Sequence, residues 1–454
     1  MGRQVAPPSP WQREAPRRAP SPALEGRLVV DVAVVGAGLA GSSAALHLAR
    51  EHPGARIALL EARTVGDGAT GRSTGVIGPG VGSGILGLRS RWGDARATAM
   101  FSATMDAVDL TLKLVQNEGI ECHLEHTSQV VAARTQLHAR KLRRQAAAFT
   151  DLGFDVPYLG AHELADIVGA DCYLAGIRYS QVATVDPYLL CVGVAERAVA
   201  AGVQLFEHTP VHRVANGPGT VLQSPAGRVH ARHVVLANDG WPTGARQVDR
   251  SVVPIDTHVV RTAPLPPALL ESLGWRSRAA VIDSRTFFHY YRLTHDDRIV
   301  FGGGPVAYRG GRRDRDASAQ RVYRRLEREL VEVFPALAGL PITDRWYGTT
   351  GSTLDRMPMV GQVSGERDVW FSGAWCGHGL ALSTASGARI ADTLDPTASA
   401  TAARTTEFAW QRGRGPWLPG GPLRPLGLGA YVLGLDGVDR AGLFAERALR
   451  RRRR

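Results

Sequence analysis

Val35-Gly36-Ala37-Gly38-Leu39-Ala40-Gly41 stands between an apolar run, Leu28 to Val35, and a segment with helical apolar spacing, Leu39 to Arg50. The glycines fall where a phosphate-binding turn requires them. Gly36 permits the tight turn, Gly38 lets the backbone approach a pyrophosphate, and Gly41 lets the helix pack closely on the strand. The helix N-terminus would face the phosphate with unpaired N–H groups and the positive end of its dipole. A second apolar run, Arg56 to Leu60, ends at Glu61, twenty residues beyond Gly41, where a carboxylate can accept a ribose hydroxyl and Ala62 follows it. Both runs are apolar throughout, not alternating, which suits parallel strands covered on both faces. The unit reads as the start of an α/β Rossmann-like domain, a parallel sheet with helices.

Around this unit the chain has 454 residues, 44% of them hydrophobic and 21% charged, enough to bury the cores of two or three domains. The formal charge is +12, but the excess is strongest at the ends, in Arg13, Arg17, Arg18 and Arg450 to Arg454, and lysine occurs only at Lys113 and Lys141. A solvated basic tail accounts for that charge, so no nucleic-acid partner is expected. Cys122, Cys172, Cys191 and Cys376 are scattered without CxxC or Cys/His spacing, which points to neither a disulfide framework nor a metal site. No run reaches the roughly 18 apolar residues of a transmembrane segment, and a cytoplasmic location is the expectation.

Residues 1–26, rich in Pro, Ser and Arg, read as a disordered lead-in with Trp11 alone having something to bury. Helical spacing recurs in Phe101, Met105, Val108, Leu112 and Val115, and again from Leu137 to Ala148, as an insertion into the nucleotide-binding layer. A second strand-helix-strand unit follows through Val185-Asp186-Pro187, the helix Tyr188 to Ala201, and Val203 to Phe206. Val229 to Leu236 reads as another buried strand. Thr286 to Leu293 and Arg298 to Gly302 read as alternating strands, and Ala317 to Phe334 as a charged helix. The domains expected are a discontinuous nucleotide-binding domain over 27–95, 183–245 and 346–395, an α+β substrate domain with a mixed or antiparallel sheet over 96–182 and 246–345, and a C-terminal extension over 396–454.

The fingerprint alone does not separate FAD from NAD. Gly68-Ala69-Thr70-Gly71-Arg72-Ser73-Thr74-Gly75, however, resembles the second glycine-rich loop of the glycine/D-amino-acid oxidase (DAO) family of flavoproteins, which runs beside flavin and pyrophosphate. The resemblance extends over about residues 9 to 395. Trp11, Pro20 and Leu24 look like the family's lead-in, and Val185-Asp186-Pro187 like its internal strand-to-helix element. Gly202-Val203 with Val211 is similar to the segment that contacts adenine, and Ala237-Asn238 to the strand end near the cofactor. Trp346, Gly348, Asp355, Pro358 and Gly361, then Gly373, Gly377-His378-Gly379 and Ala381, follow the closing flavin-binding motif in order. Phe288 to Thr294, then Arg298 and Gly302-Gly303-Gly304, look most like the gamma-glutamylputrescine oxidase branch.

The resemblance implies FAD, and non-covalent FAD: the second loop carries Arg72 where some relatives attach flavin through histidine, and Thr349 to Met357 contains no cysteine. It implies hydride transfer to the flavin ring, whose reduced form carries charge that the N–H groups at Gly377-His378-Gly379-Leu380 can face. Amino-acid-oxidising relatives hold the substrate carboxylate with an arginine in the closing motif, and alignment puts Thr350 there. A small amine, a polyamine derivative or alkylamine, is therefore the expected substrate, with Arg292 or Arg261 as possible replacements for the missing arginine. Tyr291 and His258 are candidates for taking the amine proton, and Thr350, Tyr291 and Trp375 for lining the pocket. The electron acceptor, oxygen or another, stays open. So do a D-amino-acid or hydroxy-acid dehydrogenase of the same fold, and a non-catalytic flavin-binding electron-transfer or assembly subunit docked on a partner or membrane surface through the C-terminal extension.

Overall fold

The apolar run before the glycine turn becomes the central strand, Gly26–Val35, of the first sheet in a computed structural model that describes residues 7–217, 219–241, 244–285, 288–308, 315–366, 368–396 and 412–417. Ile57–Leu60 pairs parallel on one side and Gly227–Leu236 parallel on the other. Gln204–Phe206 and Val369–Gly373 continue the sheet outward in parallel, with Met359–Gln362 antiparallel at the far edge. Helices Leu39–Glu51, Pro187–Ala200 and Gly379–Thr393 cover one face, and the other carries the hairpin around Leu222 and the short helix Arg246–Ser251. All four residues of Ile57–Leu60 are buried, as a strand covered on both faces requires.

The second sheet runs Ile342–Ser352, Val253–Thr262, Ile299–Tyr308, His289–Leu293, Ala280–Asp283, Glu125–Ala133, Ala175–Thr184, Val76–Ile77. Its pairs are antiparallel except that Ala280–Asp283 lies parallel to Glu125–Ala133, so the sheet is mixed. Helix Arg315–Val333 packs on one face through Leu326 and Leu330, which share a core with Tyr291 and Phe301. The α/β flavin-type layer and the α+β second domain are thus both present.

Three boundaries differ from the sequence expectation, because hydrogen-bonded elements cross them. Residue 96 lies inside the helix Gly84–Asn117, which bends at Gly93 (φ 74°) and sends Ile85, Leu88 and Phe101 into the core of the first domain. Residues 183 and 346 lie inside strands of the second sheet. The lead-in is also not disordered from Pro7 onward. Ser9 caps the helix Pro10–Glu14 in a reciprocal capping box with Gln12, and Trp11 is buried edge-on against Trp346 at 6.4 Å. Among the described residues no helix is long and apolar enough to cross a membrane. Of the C-terminal extension, 397–411 and 418–454 lie outside the described residues, and with them most of the docking segment.

Candidate functional site: a dinucleotide cradle facing the second sheet

The glycine turn is built as its sequence demands. Gly36 holds φ 103°, and a Cβ there would lie 2.9 Å from the Ala237 carbonyl oxygen; on Gly41 it would lie 1.9 Å from the Gly36 oxygen. Gly38 is the N-cap of helix Leu39–Glu51 and offers no side-chain cap, so helix N–H groups at Leu39 and Ala40 stand at the turn. The Leu39 N–H donates to Thr70 Oγ1 at 3.2 Å, which draws the second glycine-rich loop against the turn. Glu61 accepts from the Ala37 N–H at 2.8 Å and the Arg63 N–H at 2.9 Å; burial raises its carboxyl pKa, and those two N–H groups oppose the rise. Ala62 is exposed beside it. The neighbouring chain arrives by way of Thr209, whose N–H donates to the Glu61 carbonyl, and Val211 packs just beyond. These residues fit a dinucleotide, with helix N–H groups for pyrophosphate and a partly exposed carboxylate for ribose.

The second loop is fixed by a segment whose role the sequence reading missed. Ser9 Oγ donates to the Gly71 carbonyl, Trp11 Nε1 to the Ser73 carbonyl at 2.9 Å, and Gln12 Nε2 to Asp67 at 3.3 Å. Ala69 precedes a single turn, Thr70–Arg72, and the Arg72 guanidinium is committed to Asp67 and to the carbonyls of Pro7 and Tyr347. The Gly348 Cα faces the Arg72 side chain, where a Cβ would lie 3.1 Å away, so the loop lies on the second sheet.

At the closing motif, helix Gly379–Thr393 starts from His378 without a side-chain cap, and Leu380 is buried behind it. Burial lowers the His378 pKa to about 4, leaving a neutral imidazole beside the bare N–H groups. Gly377 adopts φ 93°. Trp375 packs its ring on Gly379 and is buried in the core beneath helix Gly379–Thr393. Gly373 closes on Asp239, where a Cβ would lie 3.1 Å from the Asp239 Cα.

The second sheet sorts the remaining candidates by face. Trp346, Val259, Val300 and Tyr290 pack with Trp11 on the side of the glycine-rich loop, and strand parity puts Gly348, Thr350 and Arg292 on that side too. Tyr291 faces the other way. Its hydroxyl lies 2.7 Å from that of Tyr173, its ring packs against Phe301 and Phe334, and it is 2% exposed. His258 also points away, 5.5 Å from Tyr323 of helix Arg315–Val333, and burial lowers its pKa to about 4. Neither side chain shares a face with the loop, so the structure does not bring Tyr291 and His258, expected to take a substrate proton, or Tyr291 as a pocket residue, together with the cradle residues. Arg292 is on the loop side but donates to the carbonyls of Thr74, Val185 and Leu293, which pins Gly75 and leaves no fork for a ligand. Arg261 is likewise held by Glu14 and Asp344. The sequence reading passed over Tyr290, whose hydroxyl bonds Thr257 and whose ring covers Gly302. It also passed over Asp239, which binds Thr350, Gly351 and Ala374. Alternation along the strand was the available signal for Tyr290.

A dinucleotide cradle at the carboxyl ends of parallel strands, opposed by a large mixed sheet, defines a two-domain flavin-dependent oxidoreductase. The model of the DAO family, "FAD dependent oxidoreductase", matches residues 31–393, and the chain belongs to that family. It is 28% identical over 388 residues to gamma-glutamylputrescine oxidoreductase of Escherichia coli (strain K12), covering 85% of this chain and 88% of that protein. It is 27% identical over 372 residues to the probable oxidoreductase OrdL of Haemophilus influenzae (strain ATCC 51907 / DSM 11121 / KW20 / Rd), covering 80% and 82%. The fold is similar to the crystal structure of glycine oxidase from Geobacillus kaustophilus, with TM-score 0.66, 22% identity, and coverage of 80% of this chain and 94% of that one.

Proposed function

We propose that the enzyme oxidises the C–N bond of a small amine, a polyamine derivative or alkylamine, that bears no carboxylate on the reacting carbon. The observation that carries this reading is Thr350, standing bonded to the Asp239 carboxylate where a carboxylate-binding arginine would be needed. A guanidinium forks onto a carboxylate with two parallel hydrogen bonds; a hydroxyl beside an anion offers neither the fork nor the charge. The two arginines that could compensate, Arg292 and Arg261, are committed elsewhere. The similarity to gamma-glutamylputrescine oxidoreductase supports the same substrate class.

Bound FAD supplies the hydride acceptor. The chain's own contribution is position and electrostatics. Tyr290, Thr257 and Thr350 form a hydroxyl-lined side for the substrate, and burial pushes the Tyr290 pKa to about 12, keeping it a neutral hydrogen-bonding group. An amine with a pKa near about 10 must shed its proton before hydride leaves, and desolvation against these rings favours the neutral form. The N–H groups at the start of Gly379–Thr393, free of a side-chain cap, would stabilise negative charge on a reduced flavin bound there. We take FAD to be held non-covalently: Arg72 occupies the second loop, and the Cys376 thiol donates to the Ala374 carbonyl while burial raises its pKa. Oxygen or another acceptor completes turnover. Four free thiols support a cytoplasmic setting.

Anaerobic titration of the purified holoenzyme with alkylamines, polyamine derivatives, amino acids and hydroxy acids tests the reading. Amines should bleach the flavin fastest, and acid precipitation should release the FAD into the supernatant. Faster bleaching by glycine, sarcosine or D-alanine than by any amine would overturn it.

A further inference from the structure

Asp239 stands where three segments meet. It follows strand Gly227–Leu236, two residues beyond the Ala237 carbonyl that abuts Gly36, at the carboxyl end of the parallel sheet where ligands of such folds bind. Its Oδ2 accepts from the Gly351 N–H at 2.8 Å and the Thr350 hydroxyl at 3.2 Å, and its Oδ1 from the Ala374 N–H at 2.8 Å. Burial raises the Asp239 carboxyl pKa, and these donors, each pointing at the carboxylate, oppose the rise and favour the ionised form. The backbone around it is held in the left-handed region at Asp239 (φ 45°), Ala374 (φ 58°) and Cys376 (φ 53°), an arrangement that Ala and Cys do not adopt unaided.

A threonine hydroxyl has one proton, and Thr350 gives it to Asp239. What Thr350 has left for a ligand is a pair of lone pairs, made more basic by the anion behind them. Such a group accepts from N–H and repels an incoming carboxylate. We propose that Asp239 is a positioning residue that fixes Thr350 as the acceptor for the substrate nitrogen, so that this corner selects amines and rejects α-carboxylates. The inference rests on the amine reading above, and it adds the residue pair that enforces it. Asp239 acts through Thr350 and through the two loops it ties together, not by touching the substrate.

The test uses holoenzyme of Thr350→Val, Thr350→Ser and Asp239→Asn, with propylamine and with 2-aminobutyrate, which adds a carboxylate to the same carbon. KM and kcat come from anaerobic flavin reduction, and binding from the flavin difference spectrum. Thr350→Val and Asp239→Asn should each raise the KM and dissociation constant for propylamine by about tenfold with kcat within about threefold, the loss or weakening of one hydrogen bond to the substrate nitrogen. Thr350→Ser should restore wild-type values, which a merely structural role for the threonine methyl would not produce. Should Asp239→Asn fail to fold, Thr350→Val and Thr350→Ser still decide the matter. Wild-type affinity for propylamine in Thr350→Val overturns the inference and leaves the amine reading standing. Wild-type enzyme that 2-aminobutyrate reduces and propylamine neither binds nor reduces overturns both.

Discussion

His258 shows how burial rather than residue type assigns a role. Its ring is 4% exposed, between Tyr323 and Tyr347, and its Nδ1 has no hydrogen-bond partner among the described residues. The folded chain holds it neutral down to about pH 4, whereas an unfolded chain binds the proton below about 6.5. The unfolded state therefore takes up the extra proton as pH falls. Stability is full above about 6.5 and declines toward pH 4, by about 3 kcal/mol from this group, with His378 acting in the same direction. His258→Phe should flatten the denaturant-midpoint profile between pH 6.5 and 4 while kcat/KM at pH 8 stays within about twofold. A hundredfold loss of kcat/KM in a folded variant would put the ring in contact with substrate and contradict the face assignment. The sequence showed that alternate residues of a strand face opposite ways; it did not show which way is inward. Tyr290 and Tyr291 are equivalent by pattern, and only the packing of Trp11 and Arg72 on one face and helix Arg315–Val333 on the other separates them.

At the level of elements, the turn Gly36 to Gly41 was legible because its spacing encodes a steric requirement. Gly41→Ala would place a methyl at 1.9 Å from the Gly36 oxygen, which forces helix Leu39–Glu51 off the strand at a cost of about 2 kcal/mol or more. Its FAD occupancy after desalting should fall at least severalfold, with a lower unfolding temperature; full occupancy would show that the turn does not set the cradle. The lead-in was misread because its Pro and Arg content resembles a disordered tail. The signal was present all the same. Ser9-Pro10-Trp11-Gln12 combines an N-cap, proline at the first helical position and a capping-box glutamine, followed by charges that find partners in Asp344 and Arg261. Partners over 100 residues away are invisible to local pattern, and so Asp239, whose neighbours come from Thr350 and Ala374, also escaped notice.

Across the whole molecule, the two sheets are not separate bodies joined by linkers. The helix Gly84–Asn117 starts in the core of the first domain with Ile85 and Leu88 and meets the second sheet at its middle, where Gln181 donates to the Met105 carbonyl, and Arg72, Arg292 and Asp239 bind backbone across the divide. Sequence boundaries placed at changes of pattern therefore cut through helices and strands. The same interlocking commits Arg72, Arg261 and Arg292 to holding the domains together, and leaves the proposed substrate side lined by hydroxyls. That arrangement is the central claim, and the ratio of kcat/KM for an alkylamine to kcat/KM for the amino acid built on the same carbon measures it most directly. A ratio above about ten is the expected result, because one forked charge contact is missing; a ratio below one, with the amino acid preferred, would contradict the account.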